Sequence, residues 1–161
     1  MKKNFIILFF LIFSIQSLNA FDKVSLSYGH KDDIDITGIS LIKDIDYEIL
    51  DNLNLSIELL GEYAKGKQDD MFIISAQPMA SYDLTKNLYF EAGAGIAHFT
   101  KEQLDKKRFG MNFQFKESVG FGYRFSDILE ATLKYNHYSN ADLAGSNAGL
   151  DFVALRVIYR F

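Results

Sequence analysis

Alternation of apolar and polar residues is the dominant pattern along the chain beyond about residue 22, although it is less regular at 36–45 and 71–82. The clearest examples are Leu53–Leu59, Phe109–Phe115 and Val153–Phe161, in which every second residue is apolar. A period of two is typical of β-strands, because successive side chains of a strand point to opposite faces. The alternation predicts eight strands separated by polar connections, at 22–30, 35–46, 52–65, 70–83, 87–100, 108–124, 128–140 and 149–161.

Eight strands of this kind predict an all-β fold, an eight-stranded antiparallel transmembrane β-barrel of the outer membrane. Each segment reaches the roughly 9–11 residues that a strand needs to cross a bilayer. Longer connections alternate with short turns, as in such barrels, and a last strand ending in Tyr159 and Phe161 resembles their C-terminal signature. A soluble lipocalin-like barrel is the alternative, and its apolar faces would point inward.

The first twenty residues differ in character from the rest. Lys2 and Lys3 are followed by an almost wholly apolar run over 5–15, and a short polar stretch ends at Ala20. This order is typical of a secretory signal peptide, and the run is too short for a membrane-spanning helix. We therefore expect a signal peptide at 1–20, a barrel at 21–161 and export to the outer membrane.

Charge and cysteine content exclude several classes of function. The chain has 17 basic and 21 acidic residues, and without the two lysines of the signal its net charge falls from −4 to about −6. A nucleic-acid partner would require a basic face, so none is expected. The sequence has no cysteine, which excludes disulfides, thiolate metal sites and a cysteine nucleophile.

One predicted strand carries residues with catalytic chemistry. Parity places His137 and Ser139 on the same outward face of the seventh strand, with Cα atoms about 6.8 Å apart. If the last hairpin closes symmetrically about Ala144, Asp151 lies opposite His137. The carboxylate would then orient an imidazole that takes the serine proton, at the lipid-facing outer rim of the barrel. Polar residues are also common at barrel rims, so these residues alone are compatible with a purely interfacial role.

The motif around these residues resembles a known family. His137-Tyr138-Ser139-Asn140-Ala141, with an acid fourteen residues after the histidine, resembles the lipid A 3-O-deacylase (PagL-type) family, whose members are eight-stranded outer-membrane barrels with a Ser–His–acid triad. The likeness covers about 25 residues, and elsewhere only size, signal and strand pattern agree.

The resemblance implies a serine esterase that removes the 3-O-linked acyl chain of lipid A in lipopolysaccharide. Ser139 would be the nucleophile, His137 the general base and Asp151 the orienting acid. The side-chain amide of Asn140, with a backbone N–H, would stabilise the oxyanion. No metal and no organic cofactor is implied, and a homodimer in the membrane is compatible with this function.

Two positions depart from the family pattern. The family pattern has Glu where this chain has Asp151, and Gly where it has Asp142, which is therefore an alternative orienting acid. A second functional hypothesis remains beside the esterase, namely a non-catalytic barrel for adhesion or surface architecture.

Three further groups have a possible binding role and a simpler interpretation as interfacial or solvated residues. His30 and His98 would lie near outer strand ends, three acidic residues could bind a cation, and a basic cluster in an exterior loop could meet lipid A phosphates. The acidic residues are Asp32, Asp33 and Asp35, and the basic ones Lys101, Lys106, Lys107 and Arg108.

Overall fold

The computed structural model describes residues 20–47 and 49–161, so the predicted signal peptide lies outside the described residues except for Ala20. The described chain is almost entirely strand and turn. Its ten strands are β1 (Lys23–Lys31), β2 (Ile34–Ile45), β3 (Leu53–Lys65), β4 (Asp70–Asp83), β5 (Leu88–Phe99), β6 (Gln103–Leu104), β7 (Lys107–Arg108), β8 (Phe113–Arg124), β9 (Leu129–Ser139) and β10 (Leu150–Arg160). In this part of the chain no helix is long and apolar enough to cross a membrane.

Eight of these strands close into an antiparallel barrel. The order around it is β1-β10-β9-β8-β5-β4-β3-β2, so each strand pairs with its neighbours along the chain and β1 closes on β10. The short strands β6 and β7 form a separate two-stranded hairpin in the loop between β5 and β8. The predicted eight-stranded barrel is confirmed.

The sixth predicted strand, at 108–124, begins later than expected. β8 starts at Phe113, and the preceding residues belong to the loop. Phe109 is fully buried in the loop, and Gly110 adopts a left-handed backbone with φ of 79°. Because such a backbone cannot continue a strand, the apolar alternation before Phe113 reflects loop packing.

The register fixes how the strands climb around the barrel. Following paired residues once around from Ser139 leads back to β9 at Leu129, ten residues nearer the strand start, which is a shear of 10. The residues on this path are Ser139, Phe115, Ile96, Ala76, Leu59, Leu41, Val24, Tyr159 and Leu129. Residues at equal height on neighbouring strands are therefore offset by about 1.25 positions from their paired residues.

The barrel is apolar outside and polar inside. Large exposed hydrophobic side chains cover its outer wall, among them Leu26, Ile57, Ile74, Ile96, Phe121, Leu133 and Leu155. Aromatic side chains lie at both ends of this surface, including Tyr28, Phe72 and Tyr135 near one end and Tyr123, Phe125 and Tyr159 near the other. An outward apolar band with aromatic girdles is the pattern of a transmembrane barrel, which excludes the lipocalin-like alternative.

A network of buried charges fills the middle of the barrel. Glu58 of β3 accepts hydrogen bonds from Lys134 Nζ at 2.9 Å and from Arg156 at 2.5 Å. Arg156 also donates to both carboxylate oxygens of Glu91, at 2.9 and 2.7 Å. The cavity beside this network measures only about 30 Å³, so the charges pair with each other and the centre is packed.

An apolar cluster closes the barrel interior at the end opposite the chain termini, which we call the outer rim. Tyr138 lies at its centre and is fully buried, with ring contacts to Phe99 at 5.4 Å and Phe152 at 6.2 Å between centroids. Phe109 from the loop packs on Phe99 at 4.9 Å. Because Tyr138 lies between the two candidate catalytic residues of β9, this cluster anchors the strand that carries them.

Candidate active site

His137 and Asp151 form a hydrogen-bonded pair on the outer wall at the outer rim. The two residues are directly paired between β9 and β10, as the symmetric hairpin predicted. The distance between His137 Nδ1 and Asp151 Oδ1 is 2.6 Å, and the side chains are 34 % and 43 % exposed. With Nδ1 engaged by the carboxylate, Nε2 is the imidazole nitrogen available for proton transfer.

Tyr135 is a third member of this group, and no sequence motif pointed to a role for it. Its hydroxyl donates to Asp151 Oδ1 at 2.7 Å, so one carboxylate oxygen is held by both the imidazole and the phenol. Tyr135 lies two residues before His137 on the same outward row. That spacing was visible in the sequence, but the contact depends on the reach of the phenol across to β10.

Ser139 follows on the same row, at the last position of β9, and is half-buried. It pairs with Phe115 of β8. In the described chain its hydroxyl has no hydrogen-bond partner, so the His137–Ser139 contact is not formed here. Catalytic hydrogen bonds often tighten only when substrate is bound, and the common row of His137 and Ser139 keeps them within reach of one another.

Asn140 does not match its predicted orientation. Its side chain is fully buried, and its amide donates to Phe109 O at 2.7 Å and Ser146 O at 2.8 Å. Because both N–H atoms of the amide are engaged, no side-chain donor remains for an oxyanion in this arrangement. Asn140 instead ties the loop after Ser139 to the loop before β8.

The loop after Asn140 begins with a tight turn. Ala141 and Asp142 both have positive φ, 51° and 59°, and Leu143 N donates to Asn140 O at 3.0 Å. These are the features of a type I′ turn. The Asp142 carboxylate accepts from Asn147 Nδ2 at 3.1 Å, so it is Asp151 that contacts the histidine.

A second acidic residue is paired with His137 on the side away from β10. Glu117 of β8 is paired with His137, and its side chain is exposed on the outer wall. In the described chain it does not reach hydrogen-bonding distance of His137, whereas Asp151 does. No sequence motif pointed to Glu117, because its position depends on the β8–β9 register.

The basic loop lies beside this group. The loop touches the β9–β10 connection, because Ala148 N donates to Arg108 O at 3.0 Å, and Lys101 pairs with Asp69 and Asp70. Asp105 accepts backbone hydrogen bonds from Gln68, Lys67 and Asp69, at 3.0, 2.8 and 2.9 Å. The bonds from Gln68 and Lys67 are the main reason that the pKa of Asp105 is lowered from its ordinary value of 3.8.

The acidic residues near the first outer turn are engaged with other side chains. Asp33 pairs with Lys67 at 2.8 Å, and Asp35 accepts from Tyr28 and His30. Within residues 20–47 and 49–161, no group of three or more histidine, aspartate or glutamate side chains is arranged to hold a metal ion.

The assembled group has the components of an ester hydrolase. A serine, a histidine and a carboxylate share one lipid-facing surface, and the carboxylate fixes the imidazole through Nδ1. The surrounding outer wall is apolar. An ester at the level of lipid headgroups, with its acyl chain on the barrel wall, would lie against these residues.

Relatives of the chain carry a common name. It is 37% identical over 87 residues to the lipid A deacylase PagL of Bordetella bronchiseptica, which covers 54% of this chain and 49% of that protein. It is 30% identical over 67 residues to the lipid A deacylase PagL of Pseudomonas aeruginosa, which covers 42% and 39%. The matches thus span half or less of the length of these curated relatives.

Solved structures share the fold. The crystal structure of the outer membrane enzyme PagL aligns with a TM-score of 0.80 at 21% identity, over 86% of this chain and 99% of that one. The Yersinia pestis outer membrane protein Ail aligns with a TM-score of 0.58 at 12% identity, over 89% and 100%. The expectation of an outer-membrane barrel is confirmed. The model of the lipid A 3-O-deacylase (PagL) family matches residues 45–160, and the chain belongs to that family.

Proposed function

We propose that this protein is an outer-membrane serine esterase that hydrolyses the 3-O-linked acyl chain of lipid A. The observation that carries the proposal is the position of the His137–Asp151 pair and Ser139 on one outward row at the outer rim. Polar groups on the wall of a transmembrane barrel are costly unless they meet polar parts of the lipid. Membership of the deacylase family supports the same substrate.

The proposed reaction is acyl transfer to water. Ser139 Oγ attacks the ester carbonyl while its proton passes to His137 Nε2, and the sugar oxygen then leaves with that proton. Water attacks the acyl-serine and gives its proton to His137, which returns it to Ser139 as the fatty acid departs. Asp151 holds the imidazole with Nδ1–H toward the carboxylate and stabilises the imidazolium that forms.

Backbone groups are the better candidates for the oxyanion donors. The side-chain amide of Asn140 is engaged by two carbonyls. In the turn after it, the hydrogen bond runs from Leu143 N to Asn140 O and uses neither the Ala141 nor the Asp142 N–H. We assign these two N–H groups, close to Ser139, to the tetrahedral oxyanion, with Asn140 fixing the turn that presents them.

The membrane orientation follows from the same site. The outer rim carries the longer loops and would face the cell exterior, so the site would meet lipopolysaccharide in the outer leaflet. All residues of the proposed mechanism come from a single protomer. A homodimer remains a prediction, to be measured by cross-linking in a bilayer.

Mass spectrometry of lipid A, incubated with the refolded barrel or with its Ser139→Ala variant, tests the function. We expect loss of one ester-linked 3-hydroxyacyl mass with the wild type alone. Unchanged lipid A in both samples, with folding shown by heat-modifiable gel mobility, would support the non-catalytic barrel. Equal loss in both would keep the esterase and reject Ser139 as nucleophile.

A further inference from the structure

A second Tyr–His–Asp group lies on the outer wall, built in the same way as the first. Tyr28 and His30 are two residues apart on the outward row of β1, and Asp35 of β2 is paired with His30. The Tyr28 hydroxyl donates to Asp35 Oδ1 at 2.7 Å, and His30 Nδ1 lies 2.9 Å from the same oxygen. Tyr135, His137 and Asp151 show the same pairing and the same two contacts.

The two groups differ in one respect that bears on function. The residue two positions beyond His137 is Ser139, whereas the residue two beyond His30 is Asp32, in a turn with φ of 55°. The second group therefore lacks a nucleophile. Its histidine is oriented through Nδ1 and is 53 % exposed, which suits Nε2 to bind a ligand hydroxyl.

The register places both histidines on one side of the barrel. His30 is paired with Val153 of β10, and Val153 with Tyr135 of β9, so two strand spacings separate His30 from the β9 row. Over these two steps the shear shifts the β9 residue at the height of His30 by about 2.5 positions from Tyr135, toward the outer rim. His30 is therefore level with His137. Two strand spacings and two residues then separate their Cα atoms by about 12 Å.

A separation of this size exceeds one sugar ring and suits a headgroup of two linked rings. With an ester of one ring at Ser139, the neighbouring ring would extend along the rim over β10 toward β1. Of the two outward β10 residues beside this path, Asp151 is engaged by His137 and Tyr135, and Val153 is exposed and uncharged. The imidazole of His30 would then accept a hydrogen bond from a hydroxyl of the second ring.

We propose that the His30–Asp35 pair, with Tyr28, is a saccharide-binding subsite for the second sugar ring of the lipid substrate. The proposal rests on the proposed esterase function, because it uses the ester position at Ser139 as its reference point. The subsite would contribute to substrate affinity and not to the chemical step, since His30 Nε2 would contact a hydroxyl remote from the reacting ester. The contact persists in the transition state, so it should change KM and leave kcat alone.

The test compares His30→Ala and Asp35→Asn with the wild type on two substrates in mixed micelles: disaccharide lipid A and a monosaccharide glucosamine carrying the same 3-O-acyl chain. Loss of one hydrogen bond to an oriented imidazole should raise KM about tenfold for the disaccharide only, with kcat unchanged. His98→Ala, an outward-facing histidine of β5, is the control and should behave as wild type.

Binding measured in a Ser139→Ala background provides a readout free of turnover. His30→Ala should weaken the affinity for disaccharide lipid A by the same factor, and removing the lipid phosphates should leave that factor unchanged. A factor that vanishes with the phosphates would overturn the hydroxyl assignment. An equal KM increase on both substrates, or none on either, would overturn the subsite. If the wild type cleaves neither substrate, the esterase proposal fails separately.

Discussion

Tyr138 of β9 donates its hydroxyl hydrogen bond to Glu62 of β3 at 2.5 Å inside the barrel. The residues on either side of Tyr138, His137 and Ser139, face outward with their candidate chemistry. Strand β9 is thus fastened to the barrel interior at the one position between these two candidate catalytic residues. Interior packing and the geometry of the lipid-facing site are therefore linked through a single side chain.

Tyr138→Phe tests this link. The change removes the hydroxyl donor and leaves a buried Glu62 carboxylate without it, which should lower the free energy of unfolding by about 1.5–3 kcal/mol. Urea-induced unfolding in lipid vesicles measures the effect. Tyr123→Phe, an exposed tyrosine near the other end of the wall, is the control and should change little. Equal stability of Tyr138→Phe and the wild type would show that the contact does not anchor β9.

Tyr135→Phe tests the phenol that shares Asp151 with the histidine. Without the second hydrogen bond the carboxylate is free to turn, so we expect kcat to fall about tenfold with little change in KM. Tyr63→Phe removes a similar contact outside both histidine groups, from the Tyr63 hydroxyl to Asp70 at 2.7 Å, and its kcat should stay at the wild-type value. A loss confined to KM would contradict a positioning role.

Asp151→Asn should abolish most of the activity while the barrel stays folded. An amide in place of the carboxylate no longer stabilises the imidazolium, and comparable triads lose on the order of 10⁴-fold in kcat. Glu117→Gln provides the matched control, because it neutralises the other carboxylate paired with His137. Kinetics of both variants on one lipid A preparation distinguish them. A larger loss for Glu117→Gln would transfer the orienting role to β8.

Glu58→Gln should destabilise the barrel. The substitution leaves Lys134 and Arg156 with Glu91 as their nearest remaining counter-charge in a packed interior. An uncompensated buried charge costs about 3–5 kcal/mol, and vesicle-based unfolding measures it. Glu102→Gln in the exposed loop should leave stability unchanged. Retention of full stability by Glu58→Gln would show that water or rearrangement compensates the two cations.

Acid should break the contact between the Asp105 carboxylate and the loop that joins β3 to β4. The pKa of Asp105 is lowered from 3.8 by the backbone N–H groups of Gln68 and Lys67, so the contact is fully present above pH 3.8 and is lost as the pH falls through the lowered pKa. Amide NMR shifts of these residues follow the transition. In Asp105→Asn they should no longer titrate at this pH, and unchanged titration would assign the effect to another carboxylate.

Much of the barrel follows from sequence because its signal is local. Alternation along each strand is fixed by the apolar bilayer outside and the charges inside, so the eight strands and the outward row of His137 were predictable. The partner of His137 was also predictable, because consecutive strands pair and their pairing is symmetric about Ala144. The start of β8 was predicted too early because of Phe109. A loop residue buried in the interior has the same apolar character as a strand residue.

Roles that depend on how far side chains reach between paired strands were not predictable. The contacts of Tyr135 and of the group at His30 depend on this reach, and the position of Glu117 depends on the β8–β9 register. Asn140 had the expected position in the motif, yet its amide turns inward because two loop carbonyls need donors. The direction of a side chain at a strand end is set by how the adjoining loops pack.

The outward orientation of His137 and Ser139 has a kinetic consequence. Under the proposed function, substrate would reach these residues by lateral diffusion within the lipid layer, so the encounter rate would depend on how densely substrate molecules populate that layer. In mixed micelles, inert detergent added at constant total substrate should lower the turnover rate of each enzyme molecule. Adding more micelles of unchanged composition should not. Two-dimensional dilution, rather than molarity, would then govern this protein's turnover.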